Sequence, residues 1–202
     1  MAKYCSPHIK NATYTCYSKN SLQKIAKNLK ISYSNKNKKE LWNNIKKELE
    51  YKCNDEICWT NNLRSIQDNT FVSKAPNSWK NNKYQWLSTT DINNVLEKYE
   101  KKYKTFKYIG AIPADCPKDI YCELSNFNSK IKNYKKIGIV YNLDKHNEPG
   151  SHWVAIYIDL NTKTITYFDS YGDLPSKLIG HFIKKCIKQL NLKFNYNKKR
   201  YQ

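Results

Sequence analysis

The sequence is poor in arginine and glycine, and it has no long apolar run. Arg64 and Arg200 are the only arginines among 36 basic residues, so lysine carries nearly all of the positive charge. The formal net charge of +19 over 202 residues favours polyanions such as nucleic acid or an anionic membrane surface. The lysines are scattered along the chain beside abundant Asn, Ile and Tyr, a pattern that nucleotide bias in a coding sequence also produces. We favour this compositional origin over a dedicated binding groove.

Two further absences bear on the location of the protein. No apolar run approaches the roughly 20 residues needed to span a bilayer, so we predict no membrane span. The amino terminus, MAKYCSPHIK, lacks the apolar core of a secretory signal. Seven cysteines, an odd number without a signal, indicate a reducing compartment. We therefore expect an intracellular protein.

Residues 1–62 have the pattern of a small helical unit. Ser18 is placed to cap a first amphipathic helix, and Asn37 with Glu40 forms the start of a second, typical of a capping box. Residues 63–85 are polar and interrupted by Pro76, which indicates a linker. Ordered patterns return in residues 86–202, which we predict to form a second domain.

Cysteine and histidine side chains bracket the helical unit. They are of the kind that a tetrahedral zinc site requires, and zinc could stabilise a unit with a small core. Their spacing matches no standard pair of zinc knuckles, so we predict no metal site and favour buried free thiols. The zinc alternative would use Cys5, His8, Cys16, Cys53 and Cys58.

Helix and strand patterns are mixed in the second domain, which predicts an α+β fold. A capped helix is expected from Ser88, strands at 106–112, 136–143 and 192–196, a short helix at about 123–134, and a long helix with proline in its first turn after Gly172. Cys186 falls on the apolar face of that long helix and is predicted to be buried. Asp115 is interpreted as a carboxylate that caps a loop.

Residues 152–169 read as a β-hairpin with a histidine at its start and an aspartate at its end. If Leu160 lies opposite Lys163 across a two-residue turn, His152 and Asp169 are diagonal neighbours on one face, about 7–8 Å apart at the backbone. A three-residue loop would place them on opposite faces. In the first register, the carboxylate could orient an imidazole that takes a proton from a nucleophile. Spacing alone also fits a structural histidine and a turn carboxylate.

The hairpin motif, HWVAIYID followed by YFDSYG, resembles the cysteine proteases that include the SUMO-deconjugating enzymes and adenain, and the form is most like the processing proteases of large DNA viruses. The resemblance implies that His152 is the catalytic histidine, Asp169 the orienting acid and Trp153 a packing aromatic. Asn142 resembles the asparagine that precedes the HW strand, and WLSTTDINNVLEKY resembles the entry to the first core helix. Gln202 falls where the family has a glutamine that donates to the oxyanion.

The resemblance implies a mixed, mostly antiparallel sheet flanked by helices, and a cysteine endopeptidase with a Cys-His-Asp triad and no cofactor. Its substrate would be a protein, cut after small residues in a structural precursor or a ubiquitin-like tail. No cysteine matches the family's nucleophile, so the core is expected to be truncated at its C-terminus, to be one part of a split gene or to belong to a decayed relative. We expect the 202 residues to be inactive and poorly soluble alone. The location would be the host cytoplasm or the virion.

The alternative is a non-catalytic module that binds nucleic acid or virion components through its basic surface.

Overall fold

The computed structural model describes residues 5–9, 12–53, 55–62, 70–71, 73, 75–82, 84–116 and 122–201. The chain forms two compact units, Met1–Lys83 and Tyr84–Gln202. In the described ranges, no helix combines the length and apolar character that crossing a bilayer would require.

The first unit is helical, as its periodicity predicts. It contains α1 (Lys19–Asn28), α2 (Lys38–Leu49), α3 (Glu56–Asn62) and a 3-10 helix at Asn77–Lys80. The predicted caps are confirmed, because the Ser18 side chain accepts from the Ser21 amide and Asn37 forms a capping box with Glu40. Both helices direct their apolar residues into one core, whose fully buried side chains are Tyr17, Leu22, Ile25, Ala26, Leu41, Ile45 and Trp59.

Part of the segment predicted to be a linker packs on this first unit. Thr70 is buried and its carbonyl accepts from the Ser6 amide at 2.8 Å, while the Phe71 ring meets Tyr17 edge to face at 5.3 Å. Residues 63–69 of the same segment lie outside the described ranges.

The expectation of free thiols in the first unit is wrong. Cys5 pairs with Cys16 and Cys53 pairs with Cys58, with Cα atoms 5.3 and 5.4 Å apart. A third disulfide, Cys116–Cys122, lies in the second unit. Spacing along the sequence cannot reveal such pairs, because four or more cysteines allow several connectivities.

The second unit is α+β, as expected, and its core is a five-stranded mixed sheet. The elements are α4 (Thr89–Lys102), β1 (Phe106–Ile112), α5 (Phe127–Ile131), β2 (Lys136–Asn142), β3 (Trp153–Asp159), β4 (Thr164–Phe168), α6 (Lys177–Leu190) and β5 (Lys193–Tyr196). The strands lie in sequence order. The two central pairs are antiparallel and the two outer pairs are parallel, so more paired positions are antiparallel than parallel.

Alternation along the strands sends one set of side chains to each face of the sheet. On one face, Ile137, Ile156 and Ile165 pack against Ile179 and Ile183 of α6. On the other face, Ile92 of α4 packs with residues of β1 and with Val140. The β3–β4 part of this second face carries exposed aromatic rings, with Tyr157 40% and Phe168 45% accessible.

Two helices of the second unit differ from their predicted bounds. α5 is one turn long, because Leu124 and Ser125 lie in turns before it and Asn126 takes a left-handed conformation. α6 begins after Ser176, so Pro175 precedes the helix instead of lying in its first turn. Cys186 is buried on α6, as predicted.

Candidate active site

The hairpin has the register that brings His152 and Asp169 together. Ile158 pairs with Ile165 and Asp159 with Thr164, which is the register of Leu160 opposite Lys163. The His152 Nε2 lies 2.7 Å from the Asp169 Oδ1. The Asp169 side chain is 2% exposed and the His152 side chain is 13% exposed. Solvent therefore weakens the electrostatic interaction between the two side chains only slightly.

Asp169 fixes which imidazole nitrogen carries the proton. The carboxylate Oδ1 also accepts from the Tyr171 backbone amide at 2.9 Å, so it acts as an acceptor toward His152. The Nε2 of His152 is then the donor in the neutral ring, and Nδ1 is left as the basic nitrogen. Orientation of an imidazole by a buried carboxylate is the arrangement found in nucleophilic triads.

Asn197 holds the backbone of Asp169, which the sequence did not predict. Its Oδ1 accepts from the Asp169 amide at 2.9 Å, and its Nδ2 donates to the Asp169 carbonyl at 2.6 Å. Its position follows from the parallel pairing of β5 with β4, which no local sequence pattern indicates. Tyr167 lies opposite Tyr196, so the residue after β5 comes next to Asp169.

The imidazole of His152 is covered by the Tyr171 ring, and the Arg200 guanidinium lies over that ring in turn. The Tyr171 ring lies 4.5 Å from the His152 ring at an interplanar angle of 19°, and the Arg200 guanidinium lies 5.3 Å from the Tyr171 ring centroid. The register of Leu160 opposite Lys163 implies that Tyr171 lies opposite His152, whereas the contribution of Arg200 was missed. The segment after β5 therefore contacts both the acid and the ring that covers the base.

Asn142 anchors the loop that leads into the histidine. Its Oδ1 accepts from the amides of Asp144 at 3.0 Å and Ser151 at 3.3 Å. Gly150, two residues before His152, has φ of 92°, and a Cβ there would lie 2.7 Å from the Asn142 Nδ2. The side chain predicted to support the site thus fixes the backbone directly before His152.

Trp153 lies beside a groove on the side of α4. Its indole Nε1 donates to the Leu87 carbonyl at 2.9 Å, which joins the start of β3 to the segment before α4. The groove has a volume of about 620 Å³ and is lined by Trp86 and Trp153 together with the Asn142 and Gly150 loop. The Trp86 ring is 67% exposed, which leaves it accessible to a ligand.

No cysteine of the chain presents a free thiol to His152. Six cysteines are in disulfides and the seventh, Cys186, packs in the core between α6 and the sheet. Burial raises the pKa of the Cys186 thiol to about 12, although Lys185 opposes the shift, so the thiolate needed for attack is disfavoured. Gln202, the predicted oxyanion donor, lies outside the described residues.

The five residues of the zinc alternative do not meet in one cluster. The four cysteines form two disulfides, and the His8 Nδ1 hydrogen-bonds with the Ser6 Oγ at 2.8 Å. The described ranges contain no group of three or more His, Cys, Asp or Glu side chains that could hold a metal ion.

A second histidine–aspartate pair ties two loops of the second unit. Asp115 accepts from the His146 amide at 3.1 Å through Oδ1 and contacts the His146 Nδ1 at 2.7 Å through Oδ2. Asp115 therefore links loops, in line with its interpretation as a structural carboxylate. The participation of His146 was not predicted.

A mixed sheet that carries a buried carboxylate paired with a histidine on adjacent strand ends is consistent with the class of the cysteine proteases related to the SUMO-deconjugating enzymes. Residues 72–200 match the description "Ulp1 protease family, C-terminal catalytic domain". The chain belongs to the Ulp1 protease family.

The chain is similar in sequence to a viral protein and in structure to two solved proteases. The chain is 36% identical over 167 residues to the putative thiol protease R355 of Acanthamoeba polyphaga mimivirus, covering 73% of this chain and 54% of R355. It thus spans about half the length of that relative. The crystal structure of the ASFV pS273R protease superposes with a TM-score of 0.50 at 20% identity, over 96% of this chain and 76% of that chain, and shows the shared fold. The C-terminal Ulp1 protease domain in complex with SMT3, the yeast ortholog of SUMO, gives a TM-score of 0.43 at 20% identity, over 58% of each chain.

Proposed function

We propose that this chain supplies the general base and the orienting acid of a cysteine endopeptidase. The observation that carries the proposal is the contact of 2.7 Å between the His152 Nε2 and the Asp169 Oδ1, with the carboxylate almost fully buried. In this mechanism the Nδ1 of His152 takes the proton of a cysteine thiol, and the thiolate attacks the carbonyl carbon of a peptide bond. Asp169 keeps the imidazole in the orientation that leaves Nδ1 available.

The nucleophile of this proposal comes from a segment other than the 202 residues of this sequence. Cys186 is excluded by its place in the core, and the remaining cysteines are paired. Membership of the family supports a Cys-His-Asp triad, and Gln202 is the proposed donor to the oxyanion. The 202 residues alone are therefore proposed to be inactive.

The proposed substrate is a protein, cut after small residues in a structural precursor or a ubiquitin-like tail. The groove lined by Trp86 and Trp153 supports a protein substrate, because it lies at the start of the strand that follows His152 and can take an extended chain. Cleavage after small residues rests on the resemblance to the family alone. The proposed location is intracellular, in the host cytoplasm or the virion. The three disulfides of the structure oppose a reducing location, because a reducing compartment keeps cysteines free, so counting free thiols in the native protein by alkylation and mass measurement tests the location. Seven free thiols would support a reducing cytoplasm, and a single free thiol would contradict it.

The test of the proposed activity uses the native-length protein, whose intact mass is measured first. Its turnover of a fluorogenic peptide with small residues before the cut should be abolished by iodoacetamide. Asp169→Asn should lower kcat by about 10⁴-fold, and His152→Ala should abolish turnover. Asp173→Asn and His181→Ala, which change exposed residues of the same types, serve as controls and should retain it. Full turnover by His152→Ala, or turnover by the 202 residues alone, would contradict the proposed triad.

A further inference from the structure

The positive charge of the chain is not evenly distributed. The first 39 residues contain nine lysines and no acidic residue, and all 17 acidic residues follow Lys39. A compositional bias toward lysine raises the number of lysines, but it does not remove aspartate and glutamate from one segment. This segregation of charge therefore requires a separate explanation, and the structure of α1 and α2 supplies one.

The lysines of α1 lie on the side of the helix away from the core. Leu22, Ile25 and Ala26 are fully buried, whereas Lys24 and Lys27 are exposed on the opposite side. Lys19 is also exposed, in the first turn of the helix. Since α1 rises about 1.5 Å per residue, the lysines extend over roughly 12 Å along its axis.

The loop between α1 and α2 continues the same charge. Lys30 follows α1 and Lys36 precedes α2, so both lie at the end of the hairpin where this loop connects the helices. Lys39 is exposed in the first turn of α2. In the described part of the chain, no carboxylate forms an ion pair with any of these side chains. We call this set the basic hairpin surface; it consists of Lys19, Lys24, Lys27, Lys30, Lys36 and Lys39.

The neighbouring side chains favour a nucleic acid over a membrane. A helix that lies on a bilayer inserts an apolar face, and the apolar face of α1 is already buried in the core. The loop instead exposes Ser32, Ser34 and Asn35, which can hydrogen-bond to phosphate oxygens, and Tyr33, which is 37% exposed and can stack on a base. We propose that the basic hairpin surface binds the phosphodiester backbone of nucleic acid, independently of base sequence.

The test measures binding of the 202-residue chain to a fluorescein-labelled DNA duplex of mixed sequence by anisotropy, between about 50 and 200 mM salt. The variant carries Lys→Gln at positions 24, 27, 30, 36 and 39. Each lost phosphate contact reduces the magnitude of the negative slope of log K against log salt by about 0.9, so the variant should bind more weakly, with a slope smaller in magnitude by up to about 4.5. Circular dichroism confirms that the variant keeps its helices.

The matched control removes the same charge from the second unit, by Lys→Gln at exposed positions 98, 101, 132, 184 and 188. It should keep most of the affinity and of the salt slope. Equal loss in both variants would overturn the proposal, because it would mean that net charge alone binds the duplex. The absence of salt-dependent binding would overturn it too, as would a variant that loses binding to phosphatidylserine vesicles but not to DNA.

Discussion

The Asn197 side chain hydrogen-bonds with both polar groups of the Asp169 backbone. It accepts from the Asp169 amide and donates to the Asp169 carbonyl, across 28 residues of sequence. Its Nδ2 also donates to the Lys199 carbonyl at 3.0 Å. The position of the buried acid therefore depends on the segment that follows β5, in addition to the hairpin that carries it.

Replacement of Asn197 by alanine should lower the free energy of unfolding by about 1–3 kcal/mol, since the amide and carbonyl of a buried residue lose their partners. Urea denaturation measures the loss. Nitrogen NMR of the His152 ring should show that a smaller fraction of molecules carries the proton on Nε2 than in the unmodified chain. Asn195→Ala is the control, because Asn195 is an exposed asparagine two residues earlier. Equal losses of stability in the two variants would contradict a specific contribution of Asn197.

Much of the fold follows from local patterns in the sequence. The capping residues Ser18, Asn37 and Ser88 each precede a helix in the structure, because their side chains satisfy amides that the first turn leaves unpaired. The register of the hairpin, with Asp159 opposite Thr164, is one of the two that the sequence left open, because the length of the loop decides between them. The contact between His152 and Asp169 follows from that register.

Long-range contacts could not be predicted in the same way. The β5 segment pairs with β4 in parallel, and no local pattern specifies which strand a parallel strand joins. The positions of Asn197 and Arg200 depend on that pairing, so their contacts near His152 and Asp169 were missed. The rings of Tyr157 and Phe168 are exposed on the sheet, and poor solubility of the 202 residues alone stays a prediction.

Gly150 should not tolerate a side chain. Its φ of 92° is unfavourable for L-residues, and a Cβ would lie 2.7 Å from the Asn142 Nδ2. Gly150→Ala should therefore cost about 1 kcal/mol or more of unfolding free energy in urea denaturation. Gly180→Ala is the control, because Gly180 lies in α6 and the Pro175 carbonyl oxygen is 3.9 Å from the added carbon. It should stabilise the chain by about 0.5–1 kcal/mol, and a neutral Gly150→Ala would show that the loop is not constrained as the structure indicates.

Cys186 should resist alkylation in the folded protein. Burial raises the pKa of its thiol to about 12, so little thiolate is present near neutral pH. Iodoacetamide at about pH 8 should leave Cys186 unmodified in buffer and label it in urea, as measured by peptide mass spectrometry. Cys186→Ser should leave any turnover of the native-length protein unchanged. Rapid labelling in buffer would reopen Cys186 as a candidate nucleophile.

The Asp115–His146 pair should make stability depend on pH. Desolvation raises the pKa of Asp115, but the hydrogen bonds and charge of His146 outweigh it, so the net pKa lies below its usual value. A carboxyl group with a lowered folded pKa stabilises the fold above its unfolded pKa, which is about 3.9, and this contribution is lost as the pH falls through the folded pKa.

Asp115→Asn should therefore be less stable than the unmodified chain at about pH 6, by about 0.2–1 kcal/mol, because the pair is partly exposed. The difference should shrink as the pH is lowered below about 3.9, where the unmodified carboxyl also becomes neutral. Urea denaturation across this range measures both values, with Asp173→Asn, a change of an exposed carboxylate, as the control. A stability difference that stays constant with pH would mean that Asp115 contributes through shape and neutral hydrogen bonds, and that its charge has no part in tying the two loops together.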